Sequence, residues 1–195
     1  MPQILDAALE EFAARGYAGA RVAAVAARAG IAKGLVYHYF PSKAALFLAT
    51  IRACTQPAFE AAERRLQAGG TSARAMLTDL IGLAYRRLDE GGRERALFRL
   101  IVAEADRFPE LARFYQDEVL SRATALVGGV LRAGAASGEF RPEAAEMPGL
   151  AEVVLAPAVA ASVWRMILGP GAAPDLEAAR AAHLDLLLAG LAVQR

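Results

Sequence analysis

No stretch of this chain alternates apolar and polar residues at period two, and Ala, Leu, Arg and Glu dominate from end to end. A half-buried strand needs that alternation, whereas these residue types favour helix. Apolar residues recur instead at helical spacing, interrupted at intervals by Gly and Pro. The pattern predicts an all-α protein, with three short N-terminal helices followed by a larger C-terminal helical bundle.

The punctuation sets the expected helices. Ile4, Leu5, Ala8, Leu9 and Phe12 share one face, and Gly16 follows as a left-handed C-cap. A short helix is predicted over residues 21–29, ended by Gly30, and another over 32–39, stopped by Pro41, which biases Phe40 away from helix. Ser42 can cap a longer helix carrying Leu46, Phe47 and Ile51, kinked at Pro57 and ended by Gly69 and Gly70. Further helices are expected over 72–89, 93–106, 109–136, 143–168 and 175–192, with Pro148 and Pro157 able to split the penultimate one. The chain is divided into residues 1–48 and 49–195.

Composition excludes several classes. A hydrophobic fraction of 56% rules out intrinsic disorder. The most apolar run, residues 153–168, contains Pro157 and Arg165 and falls short of a bilayer span. With no secretory signal read at the start, a cytoplasmic protein without membrane contact is expected. Cys54 is the single cysteine, so neither an intrachain disulfide nor a cysteine-based zinc site can form. It is read as a small apolar packing residue. His38 and His183 are the only histidines and fall in different parts of the chain, and no P-loop or dinucleotide fingerprint is present. Neighbouring carboxylates such as Glu104/Asp106 and Asp117/Glu118 diverge on a helix. No catalytic set, metal site or cofactor is expected.

Net charge is +1, but residues 1–50 carry five basic and three acidic residues, while the remainder carries 17 basic and 18 acidic. The sign of that asymmetry suits nucleic acid at the N-terminal end. Three helices of this size, with Gly at the second turn, match a helix-turn-helix module whose last helix enters the major groove. In that helix Val36, with Phe40 just beyond, should face a core containing Phe12, Val22 and Val25. Lys33, Gly34, Leu35, Tyr37, His38 and Tyr39 should then lie at the surface. Gly34 costs ~1 kcal/mol relative to Ala within a helix, which a close approach to DNA would explain. Lys43 follows the Ser42 cap, where a docked phosphate would meet both free N–H groups and an ammonium.

The run Ile4-Leu5-Asp6-Ala7-Ala8, Phe12, Gly16-Tyr17, Val25-Ala26, Ala29-Gly30-Ile31, Lys33-Gly34, Tyr37-His38-Tyr39-Phe40-Pro41-Ser42-Lys43 and Leu46 resembles the tetracycline-repressor (TetR) family. The match covers nearly all of residues 4–51. Beyond it, only the helical layout and the phrase Phe98-Arg99-Leu100-Ile101, Glu104, Phe108-Pro109-Glu110-Leu111 look familial. The resemblance implies a homodimer, a helical ligand domain and repression relieved by a small effector. Carried over by position, Tyr37, Tyr39 and Lys43 match phosphate contacts, and Lys33, Gly34, Leu35 and His38 match positions facing bases. The chain departs from the family at Ala20-Arg21 and at Ala32, where Thr or Ser usually caps a helix, and in the near absence of residues before Ile4. Arg21 could replace a phosphate ligand but cannot accept backbone N–H bonds.

The C-terminal helices suit a concave, mostly apolar ligand site. Its candidate lining residues are Met76, Leu80, Leu83, Leu97, Ile101, Glu104, Phe114, Tyr115, Trp164 and Met166. Residues 153–168 and 184–193 are apolar over too much of their circumference for one buried stripe. Pairing these last two long helices across a two-fold axis would bury the excess and would set two recognition helices ~34–36 Å apart on a palindromic operator of double-stranded DNA. The expected function is a TetR-type regulator, a repressor controlled by a small, largely apolar effector. The missing caps leave an alternative, a helical ligand-binding protein with weakened or lost DNA binding.

Overall fold

The computed structural model describes residues 2–90 and 92–193, without the side chains of residues 87–90, 93, 94 and 97. Its helices are α1 (Pro2–Gly19), α2 (Val22–Arg28), α3 (Lys33–Tyr39), α4 (Lys43–Ala68), α5 (Ala73–Glu90), α6 (Gly92–Glu104), α7 (Pro109–Phe114), α8 (Ser121–Ser137), α9 (Leu150–Leu168) and α10 (Leu176–Leu191). No strand occurs among the described residues, so the fold is all-α, as the periodicity predicts.

The chain packs into two units. One comprises residues 1–58 and 92–120, the other residues 59–91 and 121–195. In the first, Phe12, Phe47, Leu46, Val25, Val36, Ile51 and Leu111 are almost fully buried. Phe47 meets Phe12 edge-on at 4.8 Å and Tyr17 at 5.1 Å between ring centroids. Tyr17 in turn meets Phe108 at 4.8 Å. Aromatic rings prefer these edge arrangements, and each removes a large area from water.

The second unit is centred on Leu77, Val130, Phe140, Val154 and Leu191. Gly134 makes room there: a Cβ at that position would lie 2.1 Å from the Phe140 ring. The ends of these helices are closed by side chains. Asp175 accepts a hydrogen bond from the Ala178 N–H at the start of α10, and the Arg141 Nε donates to the Gly190 carbonyl at its end. Glu139 accepts from the N–H groups of Ala73 and Arg74 at the start of α5. Those backbone bonds hold its carboxyl below the usual range.

Three expectations are corrected. The helix predicted over 109–136 widens into a π-helical stretch at Tyr115–Leu120 between α7 and α8. Ordinary helix formers fill that stretch, so period alone does not reveal it. The helix predicted over 143–168 is broken: Pro142–Ala145 forms a 3-10 turn, and α9 begins only after Gly149, at φ 77°. Pro148 lies in that break, while Pro157 stays inside α9. With its start at Leu150, α9 reaches 19 residues and is long and apolar enough to cross a membrane by length and composition. The apolar run over 153–168 is thus extended at its N-terminal end by residues 150–152.

Candidate nucleic-acid interface

The interface is built on α2 and α3 in the first unit. α2 ends in a Schellman motif: Gly30, at φ 68°, donates to the Ala27 carbonyl, and Ile31 donates to the Ala26 carbonyl. That turn sets the direction of α3. Neither helix has a side-chain cap, because Arg21 and Ala32 occupy the N-cap positions. A buried carboxylate from α1 compensates at α2. Glu11 Oε1 accepts from the Arg21 N–H at 3.2 Å, and its Oε2 accepts from Arg28 Nη1 at 3.2 Å.

Within α3, Val36 is buried, and Phe40 follows it into the core. Lys33, Gly34, Leu35, Tyr37, His38 and Tyr39 are all exposed. Leu35, Tyr37 and Tyr39 keep 42%, 42% and 48% of their surface in water, a large apolar and aromatic exposure for one seven-residue helix. The Lys33 ammonium lies 5.6 Å from the Tyr37 ring centre, and His38 sits edge-on to Tyr39. Arg21 is exposed at the start of α2.

Lys43 occupies the first turn of α4, beside the Ser42 hydroxyl that accepts from the Ala45 N–H. Its ammonium donates to the Ala18 carbonyl at 3.1 Å and the Ala20 carbonyl at 3.4 Å, and lies 4.9 Å from the Tyr17 ring centre. Tyr17 is itself buried, with its hydroxyl near Glu110. Burial, then the negative charges of Glu110 and Glu104, push that phenol up to about 12.

The ten residues expected to line a ligand site are drawn from both units. Met76 and Leu80 belong to the apolar core of the second unit, and Ile101, Phe114 and Tyr115 to that of the first. Leu83 and Met166 are half-buried, Trp164 is exposed, and the Leu97 side chain lies outside the described residues. Glu104 is committed to backbone: its Oε1 accepts from the Tyr17 N–H at 2.7 Å and its Oε2 from the Ala18 N–H at 3.0 Å. Gly16 permits this approach. It adopts φ 70°, ψ 173°, an extended positive-φ conformation distinct from the left-handed helical cap expected there, and a Cβ would lie 2.6 Å from the Glu104 carboxylate.

Sequence reasoning missed Glu11 and Tyr17. Glu11 reads as one more surface acid until the fold brings Arg21 and Arg28 around it. Among the described residues no group of three or more His, Cys, Asp or Glu side chains could hold a metal ion.

Residues 4–50 match the family model for bacterial regulatory proteins of the tetR family, and residues 75–186 match the C-terminal domain of AefR-like transcriptional repressors. The HTH-type transcriptional repressor KstR2 of Rhodococcus jostii is 31% identical over 142 residues, 72% of this chain and 68% of that protein. The chain belongs to the TetR family. This TetR-family protein is a DNA-binding transcription regulator.

Solved structures share its fold. A transcriptional regulator from Saccharomonospora viridis, in complex with choline, superposes with a TM-score of 0.76 at 22% identity, covering 99% of this chain and 97% of that one. The regulator FadR of Bacillus subtilis, in complex with stearoyl-CoA, gives 0.70 at 23% identity, covering 97% and 98%.

Proposed function

We propose that this TetR-family regulator is a cytoplasmic repressor that binds a palindromic operator as a homodimer and is released by a small, largely apolar effector. The observation carrying this reading is the division of α3, with Val36 and Phe40 inside and Lys33, Gly34, Leu35, Tyr37, His38 and Tyr39 outside. Residues 1–48 carry the DNA contacts. Lys33, Gly34, Leu35 and His38 face base edges, and Arg21, Tyr37, Tyr39 and Lys43 hold phosphates and set register.

Residues 49–195 carry effector binding and dimerisation. Val153, Trp164, Ile167 and Leu168 of α9 and Leu186 of α10 are exposed apolar residues. A second copy of these two helices would cover them in an isologous interface. Ligand and DNA then change each other's affinity by the same factor.

The uncapped N-terminus of α3 favours a second reading, a helical ligand-binding protein with weakened DNA binding. Selection of genomic fragments by the purified protein, followed by titration of the enriched site in increasing salt, separates the two. The first reading expects a palindromic site and a steep negative salt slope, with affinity lowered in Tyr37→Phe and Tyr39→Phe. Absence of any enriched site, with weak binding indifferent to both substitutions, overturns it in favour of the second.

A further inference from the structure

Ala18 joins two charged side chains that sequence places far apart. Its N–H donates to the Glu104 carboxylate on α6, and its carbonyl accepts from the Lys43 ammonium on α4. The neighbouring residues repeat the arrangement, since the Tyr17 N–H also goes to Glu104 and the Ala20 carbonyl also receives Lys43. The end of α1 is thus held between an anion at its amide groups and a cation at its carbonyl groups, the pairing that peptide dipoles favour.

We propose that Glu104 is a positioning residue for the Lys43 phosphate contact, acting through the Tyr17–Ala20 backbone. The inference rests on the reading of Lys43 as a phosphate ligand. An ammonium has three donors. Two of them are directed at Ala18 and Ala20, so the orientation of the third is fixed instead of being spread over a flexible four-carbon stem. Glu104 holds the Tyr17 and Ala18 amides of the same short segment, one peptide unit before the Ala18 carbonyl, and the approach of that carboxylate depends on Gly16. Removing the carboxylate loosens the Ala18 carbonyl, and Lys43 loses its anchor without itself being altered.

The test is a double-mutant cycle on operator binding, reading the slope of log affinity against log salt. Lys43→Ala should flatten that slope by about one for each Lys43–phosphate contact. Glu104→Gln, which leaves one oxygen to accept and turns an amide toward the second N–H, should flatten it by a substantial part of the same amount. In the Lys43→Ala background it should flatten it no further. A merely structural Glu104 would lower thermal stability and leave the slope alone.

A second readout needs no DNA. Lys33 and Lys43 are the only lysines, so side-chain labelling gives two lysine resonances. Glu104→Gln should shift the Lys43 signal, which senses the Tyr17 ring, and leave that of Lys33 in place. Should Glu104→Gln fail to fold, Glu104→Asp keeps the charge, shortens the reach and should give an intermediate slope. If Lys43→Ala leaves the slope unchanged, the phosphate reading itself fails. If Lys43→Ala flattens it while the Glu104 variants do not, or flatten it equally without Lys43, the positioning role is overturned.

Discussion

Glu11 and Arg28 form a hydrogen-bonded ion pair at 3.2 Å in which the carboxylate is buried and the guanidinium half-exposed. The other oxygen of the same carboxylate receives the Arg21 N–H, so one α1 side chain holds both ends of α2. Glu11→Gln keeps one acceptor but removes the charge and places an amide against Arg28. Loss of a buried charge-assisted bond costs about 1.5–3 kcal/mol. Chemical unfolding should show a loss in that range, and an unchanged midpoint would mean that the pair contributes nothing to α2.

Gly34 has no packing reason to be glycine. Its φ is not positive, and a Cβ would meet nothing within 4 Å. Gly34→Ala should therefore stabilise the protein by about 0.5–1 kcal/mol while lowering operator affinity, because the added methyl stands on the exposed face of α3. Thermal unfolding and operator binding measured on the same preparation check both halves. A variant that gains stability and keeps full affinity would show that DNA does not approach this position.

Gly134 is the opposite case. Its missing Cβ is space occupied by Phe140, a side chain with no exposed surface. Gly134→Ala gains up to ~1 kcal/mol of helix propensity but overpacks the core at a cost of about 1–3 kcal/mol. At a 2.1 Å contact the cost should win, with net destabilisation in chemical unfolding. A stabilised variant would mean that Phe140 has room to turn away.

His183 makes stability depend on acid. Burial lowers its value from the ordinary 6.5, opposed by a hydrogen bond at the Val154 backbone, and its Nδ1 is buried with no hydrogen-bond partner among the described residues. The Tyr85 ring lies 5.9 Å away. A depressed folded-state value means that the native protein prefers neutral imidazole. The stabilisation is present above about pH 6.5 and is lost as pH falls through the lowered folded-state value. Melting temperature should fall between pH 7.5 and pH 5 by more in the wild type than in His183→Gln. Equal falls would show that His183 is not the group responsible.

What could be read from the sequence follows the range of the interactions involved. The inward turn of Val36 and Phe40, the Gly30 stop and the Ser42 cap are all local, and each is found where residue spacing puts it. The helix ends closed by Glu11, Glu104 and Glu139 depend on partners 10, 86 and 65 or more residues away, and no local pattern announces them. Glu104 illustrates the difference. Its sequence neighbourhood places it on a helix, while its partners, the backbone amides of Tyr17 and Ala18, come from α1. Of the apolar residues expected around a ligand, Met76 and Leu80 pack in one core and Ile101, Phe114 and Tyr115 in the other, because period identifies a buried face but not which face it meets.

The seven-residue length of α2 and of α3 has a consequence for how the reading surface moves. Helices so short do not persist alone in water; both draw their support from the shared apolar core, and α2 also from Glu11. Their hydrogen-bonded amides beyond the uncapped first turn should consequently exchange with solvent only when that core opens, at nearly the rate of the most protected sites in the same unit. The surface offered to DNA would then be present whole or not at all, with no frayed version in between to sample the duplex.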